Sequence, residues 1–184
     1  MTTLTRGTGP RSFATEKPMK RTLVVCYSRD GSTRKIAQRI TDTLGADLDI
    51  IEDVVPRAGA AGFVRSAFEA LAKGLPTIRV QRDPKDYDLV ILGTPVWVGT
   101  LASPMRSYLN QFRGHFKDVA CFCTMGGRGA ESTLREMQVL CGIETALTYF
   151  TTERAVAAGD HDGEVSAFIA RLGHRAAFDA ARAA

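Results

Sequence analysis

The sequence predicts an α/β fold in which helices cover both faces of a parallel β-sheet. Short apolar runs alternate with amphipathic segments along the whole chain, and this alternation is typical of parallel sheets with crossover helices. Most of the runs are nearly continuous in hydrophobic residues, as expected of strands that are buried on both faces. The five predicted strands are Thr22–Tyr27, Ala46–Glu52, Asp88–Thr94, Val119–Thr124 and Ala146–Thr151.

Each helix is predicted from its apolar periodicity and its end signals. Gly45 and Gly142 end two of them, and Ser103 and Pro104 are read as the N-cap residue and first-turn proline of another. The predicted strand Ala46–Glu52 alternates apolar and acidic residues, which favours an edge strand with one wet face. The predicted helices are Ser32–Leu44, Phe63–Leu71, a helix from Ser103, Ala130–Cys141, and a last helix through Val165, Phe168, Ile169 and Leu172.

Length and composition indicate one globular domain. The chain has 184 residues and a formal charge of +4, with Lys and Arg scattered rather than collected with aromatic residues, so we expect no nucleic-acid partner. Residues 1–20 are rich in Thr, Ser, Arg and Gly, and we expect them to be a disordered N-terminal extension to the domain at 21–184. There is no apolar run of membrane-spanning length and no secretory signal pattern, so we expect a cytoplasmic protein.

The four cysteines are predicted to be buried free thiols. Cys26, Cys121 and Cys123 lie in predicted strands and Cys141 at a helix end, and no second Cys/His cluster has zinc-site spacing. We therefore predict no metal site. The three histidines are not paired with a nucleophile at a recognisable spacing, and no catalytic side chain is assigned.

Three loops of unusual composition follow the first, third and fourth strands. They are Ser28–Thr33, Thr94–Ser103 and Thr124–Gly129. Because ligands of such folds bind at the carboxyl ends of the strands, we expect the three loops to converge on one edge. In the first loop a strand gives way to hydroxyl and glycine residues and then to a helix, an arrangement that binds phosphate through backbone N–H groups.

The common alternatives for a phosphate loop fail on spacing. The chain has no Walker pattern, and only Gly31 follows the first strand where a dinucleotide fingerprint needs three glycines. A cysteine phosphatase needs Arg six positions after its Cys, but Ser32 stands there and Arg34 comes two residues too late.

The segment from Ser28 to Thr33 resembles the flavodoxin phosphate loop, Ser/Thr-x-Thr-Gly-x-Thr. The resemblance extends to Gly93–Thr100 and Thr124–Gly129, which are similar to the two loops that hold the isoalloxazine ring in that family. It covers about Arg21 to Leu172. It implies a flavodoxin-like three-layer sandwich with strand order 2-1-3-4-5, and FMN as the cofactor. The candidate FMN-binding residues are Ser28, Arg29, Asp30, Gly31, Ser32 and Thr33 in the first loop, Thr94, Pro95, Val96, Trp97, Val98 and Gly99 in the second, and Thr124, Met125, Gly126, Gly127 and Arg128 in the third.

Individual residues carry further expectations. Asp30 replaces the usual Thr, and we expect it to point outward and accept backbone N–H bonds, since phosphate would repel an inward carboxylate. Trp97 is expected to stack on the flavin or wall off its edge, against the alternative of a core Trp at a strand end. If Arg128 faces the flavin, it is expected to raise the reduction potential of the flavin. The alternative is that the Arg128 side chain is simply solvated.

The resemblance implies an FMN-dependent oxidoreductase that passes electrons from NAD(P)H to a quinone or another small acceptor. Two alternatives stay open on the redox side: an electron carrier that docks on protein partners, and a protoporphyrinogen oxidase-like flavoprotein, because Arg29-Asp30-Gly31 is similar to that family. A flavodoxin-fold module that binds without redox work is a third. A homodimer is also left open.

Overall fold

The computed structural model describes residues 21–54, 74–144 and 146–182, with side chains through residue 175. The strands are β1 Thr22–Cys26, β2 Asp47–Ile50, β3 Glu52–Asp53, β4 Ile78–Arg79, β5 Leu89–Trp97, β6 Thr100–Leu101, β7 Val119–Met125 and β8 Leu147–Thr152. The principal sheet has the order β2-β1-β5-β7-β8, and all four of these pairings are parallel. This confirms the predicted order 2-1-3-4-5.

Helices cover both faces of the sheet and enclose two separate hydrophobic clusters. Along β1, Val24 belongs to the cluster beneath α1 and α5, whereas Leu23 and Val25 belong to the cluster beneath α2 and α3. Successive side chains of a strand point to opposite faces, which explains this division. Within the described residues, no helix combines the length and hydropathy needed to cross a bilayer. The helices are α1 Ser32–Leu44, α2 Ser103–Gln111, α3 Ala130–Cys141, α4 Glu153–Ala158 and α5 Asp162–Arg182.

The third strand of the sheet is longer than predicted and continues into a hairpin. Strand β5 runs on to Trp97, and β6 folds back against it with Val96 opposite Leu101. Val98 and Gly99 form the turn, and both have positive φ, at 50° and 77°. Two-residue hairpins favour this backbone, but the sequence lacks the usual Asn-Gly or Asp-Gly signal. The prediction of a loop from Thr94 was therefore wrong, and Pro95 lies in the strand rather than in the turn.

Three further expectations are corrected. Asp49 on edge strand β2 is 3 % exposed, not on a wet face, because its Oδ2 accepts hydrogen bonds from the backbone N–H groups of Gln81 and Arg82, both at 2.9 Å. Ala102, not Ser103, is the N-cap residue of α2. Helix α4 was missed, although Thr152 caps it by accepting a hydrogen bond from the backbone N–H of Ala155.

The predicted helix Phe63–Leu71 and the extension 1–20 lie outside the described residues.

Gly93 in the centre of β5 is needed for close packing rather than for a turn. It pairs with Cys26 on one side and with Phe122 on the other, and a Cβ placed on it would overlap the Phe122 ring. Phe122 is fully buried in the cluster beneath α1. Any side chain at position 93 therefore displaces this ring.

We predict that Gly93→Ala lowers the free energy of unfolding by about 2 kcal/mol, the usual cost of overpacking a core. Thermal unfolding should show a loss of about 4–8 °C. Phe122→Leu makes room for the new Cβ at position 93. The double variant should therefore lose less free energy of unfolding than the sum of the losses in the two single variants. Additive losses would contradict the assigned contact between Gly93 and the Phe122 ring.

Candidate functional site

The first loop leads into a helix N-terminus whose chemistry is suited to an anion. Gly31 is the N-cap residue of α1, with φ of 91° and without a side-chain cap. The Ser28 hydroxyl oxygen accepts hydrogen bonds from the N–H groups of Gly31 and Arg34, both at 3.2 Å. The N–H groups of Ser32 and Thr33, in the first turn, have no partner within the helix. These two donors, with the helix dipole behind them, are suited to a phosphate.

Asp30 does not make the backbone hydrogen bonds expected of it; the Ser28 hydroxyl takes that place in the turn. Asp30 does point outward, with 58 % of its side chain exposed, and it pairs with its neighbour Arg29. Arg29 donates from Nη2 to Asp30 Oδ2 at 2.8 Å and from Nε to both carboxylate oxygens at 3.1 and 3.2 Å. This hydrogen bonding raises the pKa of Arg29 above its ordinary value. The pair adds no net charge to the first loop.

In the second loop, Trp97 lies inward at the end of β5 and is 6 % exposed. Its ring is nearly perpendicular to that of Tyr27, with the two centroids 5.3 Å apart and an interplanar angle of 87°. The guanidinium of Arg29 lies over the Trp97 ring, 5.8 Å from its centroid. The first and second loops are thus in direct contact through these side chains.

The second and third loops touch through their backbones. A Cβ on Gly129 would lie 2.5 Å from the Cα of Gly99, so no side chain larger than hydrogen fits there. The Ser132 hydroxyl donates to the Gly99 carbonyl oxygen at 3.1 Å. Gly126 and Gly127, in the middle of the third loop, are exposed, and their backbone can be approached closely.

A buried hydroxyl pair joins the first loop to the third. The hydroxyl oxygens of Thr33 and Thr124 are 2.8 Å apart, and both residues are almost fully buried, at 1 % and 0 % exposure. These contacts confirm the predicted convergence of the three loops at one edge of the sheet. We call this edge, from Ser28–Thr33, Trp97–Gly99 and Thr124–Gly129, the rim.

The candidate residues differ in what they offer a ligand. In the first loop Asp30 is exposed, whereas Ser28, Arg29, Gly31 and Ser32 are half-buried. Thr33, Thr94, Pro95, Trp97 and Thr124 are buried, and the Thr94 hydroxyl donates to the Pro95 carbonyl oxygen at 3.1 Å. Val96, Gly99 and Met125 are half-buried; Val98, Gly126, Gly127 and Arg128 are exposed. The buried members therefore shape the rim, and the exposed ones are free to meet a ligand.

Sequence reasoning missed Arg106, which supports the second loop from behind. Its side chain is 4 % exposed and donates from Nε to Glu136 Oε1 at 3.0 Å and from Nη2 to the Leu101 carbonyl oxygen at 3.1 Å. Thr100 donates to the same Glu136 carboxylate at 3.2 Å. Strand β6 is thereby tied to α2 and α3. The apolar stripe of α2 does not include Arg106, and its spacing carries no signal of burial.

Cys26 lies just before the first loop but is not suited to nucleophilic chemistry. Burial raises the pKa of its thiol to about 12, and burial also raises the pKa of Cys123 to about 12. All four cysteines are free and buried, as the sequence predicts. A thiol that stays protonated at neutral pH is a poor nucleophile.

We predict that Gly129→Ala separates the second and third loops and lowers the free energy of unfolding by about 3 kcal/mol. The new Cβ would collide with the Gly99 backbone, and the residue has φ of 95°, which L side chains rarely adopt. Gly127→Ala is the matched control, because a Cβ there meets nothing within 4 Å. It should change stability by no more than about 0.5 kcal/mol in chemical denaturation. Equal losses in the two variants would contradict the contact.

Comparison with known proteins finds similar chains. An NAD(P)H dehydrogenase (quinone) from Nitrobacter winogradskyi is 29 % identical over 140 residues, which cover 72 % of this chain and 68 % of that protein. One of the same name from Afipia carboxidovorans is 30 % identical over 112 residues, 59 % of this chain and 55 % of that protein. This chain thus spans only about half of the second relative's length.

A solved structure supports the fold. The crystal structure of a flavoprotein in complex with FMN from Lactobacillus acidophilus NCFM superposes with a TM-score of 0.60 at 24 % identity, covering 76 % of this chain and 97 % of that chain. The family model described as Flavodoxin matches residues 21–146, well over half of the sequence. The chain belongs to the flavodoxin family.

Proposed function

We propose that this protein binds FMN at the rim and acts as an oxidoreductase that passes electrons from NAD(P)H to a quinone or another small acceptor. The observation that carries the proposal is the convergence of the three loops, joined by the Thr33–Thr124 hydroxyl pair and the Gly129–Gly99 backbone contact. The donors at the rim fit the cofactor: uncapped N–H groups suit a phosphate, and an exposed glycine pair suits a planar ring with carbonyl oxygens.

The first loop would hold the phosphate of FMN. The N–H groups of Ser32 and Thr33 are the main donors, and the hydroxyl groups of Ser28 and Ser32 can add two more. The Ser28 oxygen already accepts two backbone hydrogen bonds, which leaves its own hydrogen free to donate. The loop is therefore ordered before the ligand arrives, and little conformational entropy is lost on binding.

The second and third loops would hold the flavin ring. The exposed Gly126 and Gly127 would donate their N–H groups to the pyrimidine oxygens, and the buried Trp97 would form a wall of the rim. FMN, when bound, accepts hydride and releases electrons singly or in pairs. The role left to the protein is placement and electrostatics, which agrees with the absence of an assigned acid or base among the candidate residues.

A cavity beside the third loop supports a small acceptor. It has a volume of about 330 Å³, and Met125, Phe150 and Arg128 contribute to its lining. Glu131 also lines the cavity. The volume lies within the range of small-molecule sites, and the aromatic ring, thioether and cation suit a planar molecule with carbonyl groups. Phe150 is 45 % exposed, unusual for a side chain of that size. The names of the similar dehydrogenases point to the same class of acceptor.

Electron transfer to a protein partner is the competing function. The formal charge of +4 favours acidic partners. In either case we place the protein in the cytoplasm, where four buried free thiols persist.

One sequence of measurements tests the function. Purified protein should be yellow, heating should release FMN identified by mass, and NAD(P)H should be oxidised only when a soluble benzoquinone is present. A flavin that is reduced by NAD(P)H but does not turn over with quinone would favour the electron carrier. Protein that shows no flavin spectrum after reconstitution with FMN would exclude every redox function.

We predict that Arg128→Ala lowers the two-electron reduction potential of the bound flavin by about 20 mV. The cation stabilises the reduced, more negative ring, and the shift is small because solvent screens an exposed charge. Arg135→Ala is the matched control, since Arg135 is also exposed and lies further along α3. Redox titration with a reference dye measures both. An unchanged potential in the Arg128 variant would show that this side chain is simply solvated.

A further inference from the structure

The contact between Arg29 and Trp97 adds a function to the first loop that its backbone does not supply. Arg29 is the second residue of the phosphate-binding segment, yet its guanidinium extends to the second loop and covers the Trp97 ring. The Tyr27 ring lies nearly perpendicular to the same ring. Arg29 in the first loop and Tyr27 just before it therefore both contact Trp97.

Asp30 is a hydrogen-bond acceptor that holds the guanidinium. Two nitrogens of Arg29 donate to its carboxylate, and Arg29 is the more buried partner, with 25 % of its side chain exposed against 58 % for Asp30. The more exposed carboxylate is the partner that an incoming anion can replace. A phosphate is tetrahedral, but two of its oxygens can accept from the same two donors, and it carries the higher charge.

Resting on the proposed function, we propose that Arg29 makes flavin binding depend on the phosphate of the ligand. Before binding, Asp30 holds the guanidinium against Trp97. A phosphate at the N–H groups of Ser32 and Thr33 replaces Asp30 as the acceptor, and Arg29 moves relative to the Trp97 ring. Arg29 is thus a specificity-determining residue for the phosphomonoester, and Trp97 senses its position.

The chain supplies its own reporter, since Trp97 is the only tryptophan in the sequence. Protein freed of flavin is titrated with FMN and with riboflavin, which lacks the phosphate. We expect Arg29→Met to weaken FMN binding by about fivefold, the size of one cation contact, and to leave riboflavin binding unchanged. Lys35→Met is the matched control, because Lys35 is an exposed cation in α1, close in sequence to the first loop, and the variant should keep the wild-type preference. Equal weakening of both ligands would mean that Arg29 is structural and would overturn the proposal, as would an unchanged preference.

Inorganic phosphate provides a second measurement that does not need flavin. Phosphate should change the Trp97 emission of the wild type relative to chloride at equal ionic strength, and this response should be lost in Arg29→Met. If neither flavin binds but phosphate acts in this way, the proposed function fails and the inference is overturned as a statement about flavin, although the contact between Arg29 and phosphate stands. If flavins bind and the Arg29→Met emission responds like the wild type, the inference fails and the function stands. A wild-type emission that ignores phosphate also overturns the inference.

Asp30→Asn should change phosphate binding in the opposite direction from Arg29→Met. Removing the competing acceptor should strengthen phosphate binding, and the gain should disappear when Arg29→Met is added. A gain of the same size in the double variant would mean that Asp30 acts by simple repulsion rather than by holding Arg29, and would contradict the proposal.

Discussion

The rim depends on the register of the three central strands. Cys26 is level with Gly93, and Gly93 is level with Phe122, so β1, β5 and β7 reach the carboxyl edge together. The N–H of Tyr27 still binds the Gly93 carbonyl oxygen at 3.0 Å, beyond the last residue of β1. Since one residue of slippage would turn every side chain to the opposite face, this register fixes both the core and the height of the loops. The hydroxyl contact between Thr33 and Thr124 follows from it.

The turn of the second loop has a strained backbone conformation that the surrounding contacts hold in place. Val98 has φ of 50°, a conformation that a β-branched residue adopts at a cost of about 1–2 kcal/mol. The strain is held in place by the pairing of Trp97 with Thr100 and by the buried contacts of Arg106 with Leu101 and Glu136. A turn held from behind in this way cannot relax when a ligand contacts its exposed side. The rigidity of this turn would preorganise it for binding a ligand.

Sequence patterns predicted the elements that local chemistry determines. Helices Ser32–Leu44 and Ala130–Cys141 have the bounds expected from their glycine stops, and the five parallel strands lie in the predicted order. The hairpin at Val98 was missed because tertiary contacts, rather than turn propensity, impose it. The burial of Asp49 and Arg106 was missed for a related reason: each is satisfied by groups distant in sequence, and no local pattern records that. The roles of the candidate residues toward FMN remain predictions.

The two arginines at the rim have different electrostatic consequences. Arg29 is paired with Asp30 in the same loop, so its charge acts on a phosphate only when the phosphate replaces that carboxylate. Arg128 in the third loop has no ion-pair partner among the residues that the structure describes. In the proposed function, this unpaired cation lies in a loop that would hold the ring, where it favours added negative charge, whereas Arg29 would act on the phosphate. The two arginines would thus serve different parts of one ligand. Because Arg128 is exposed, salt should weaken its effect on the ring.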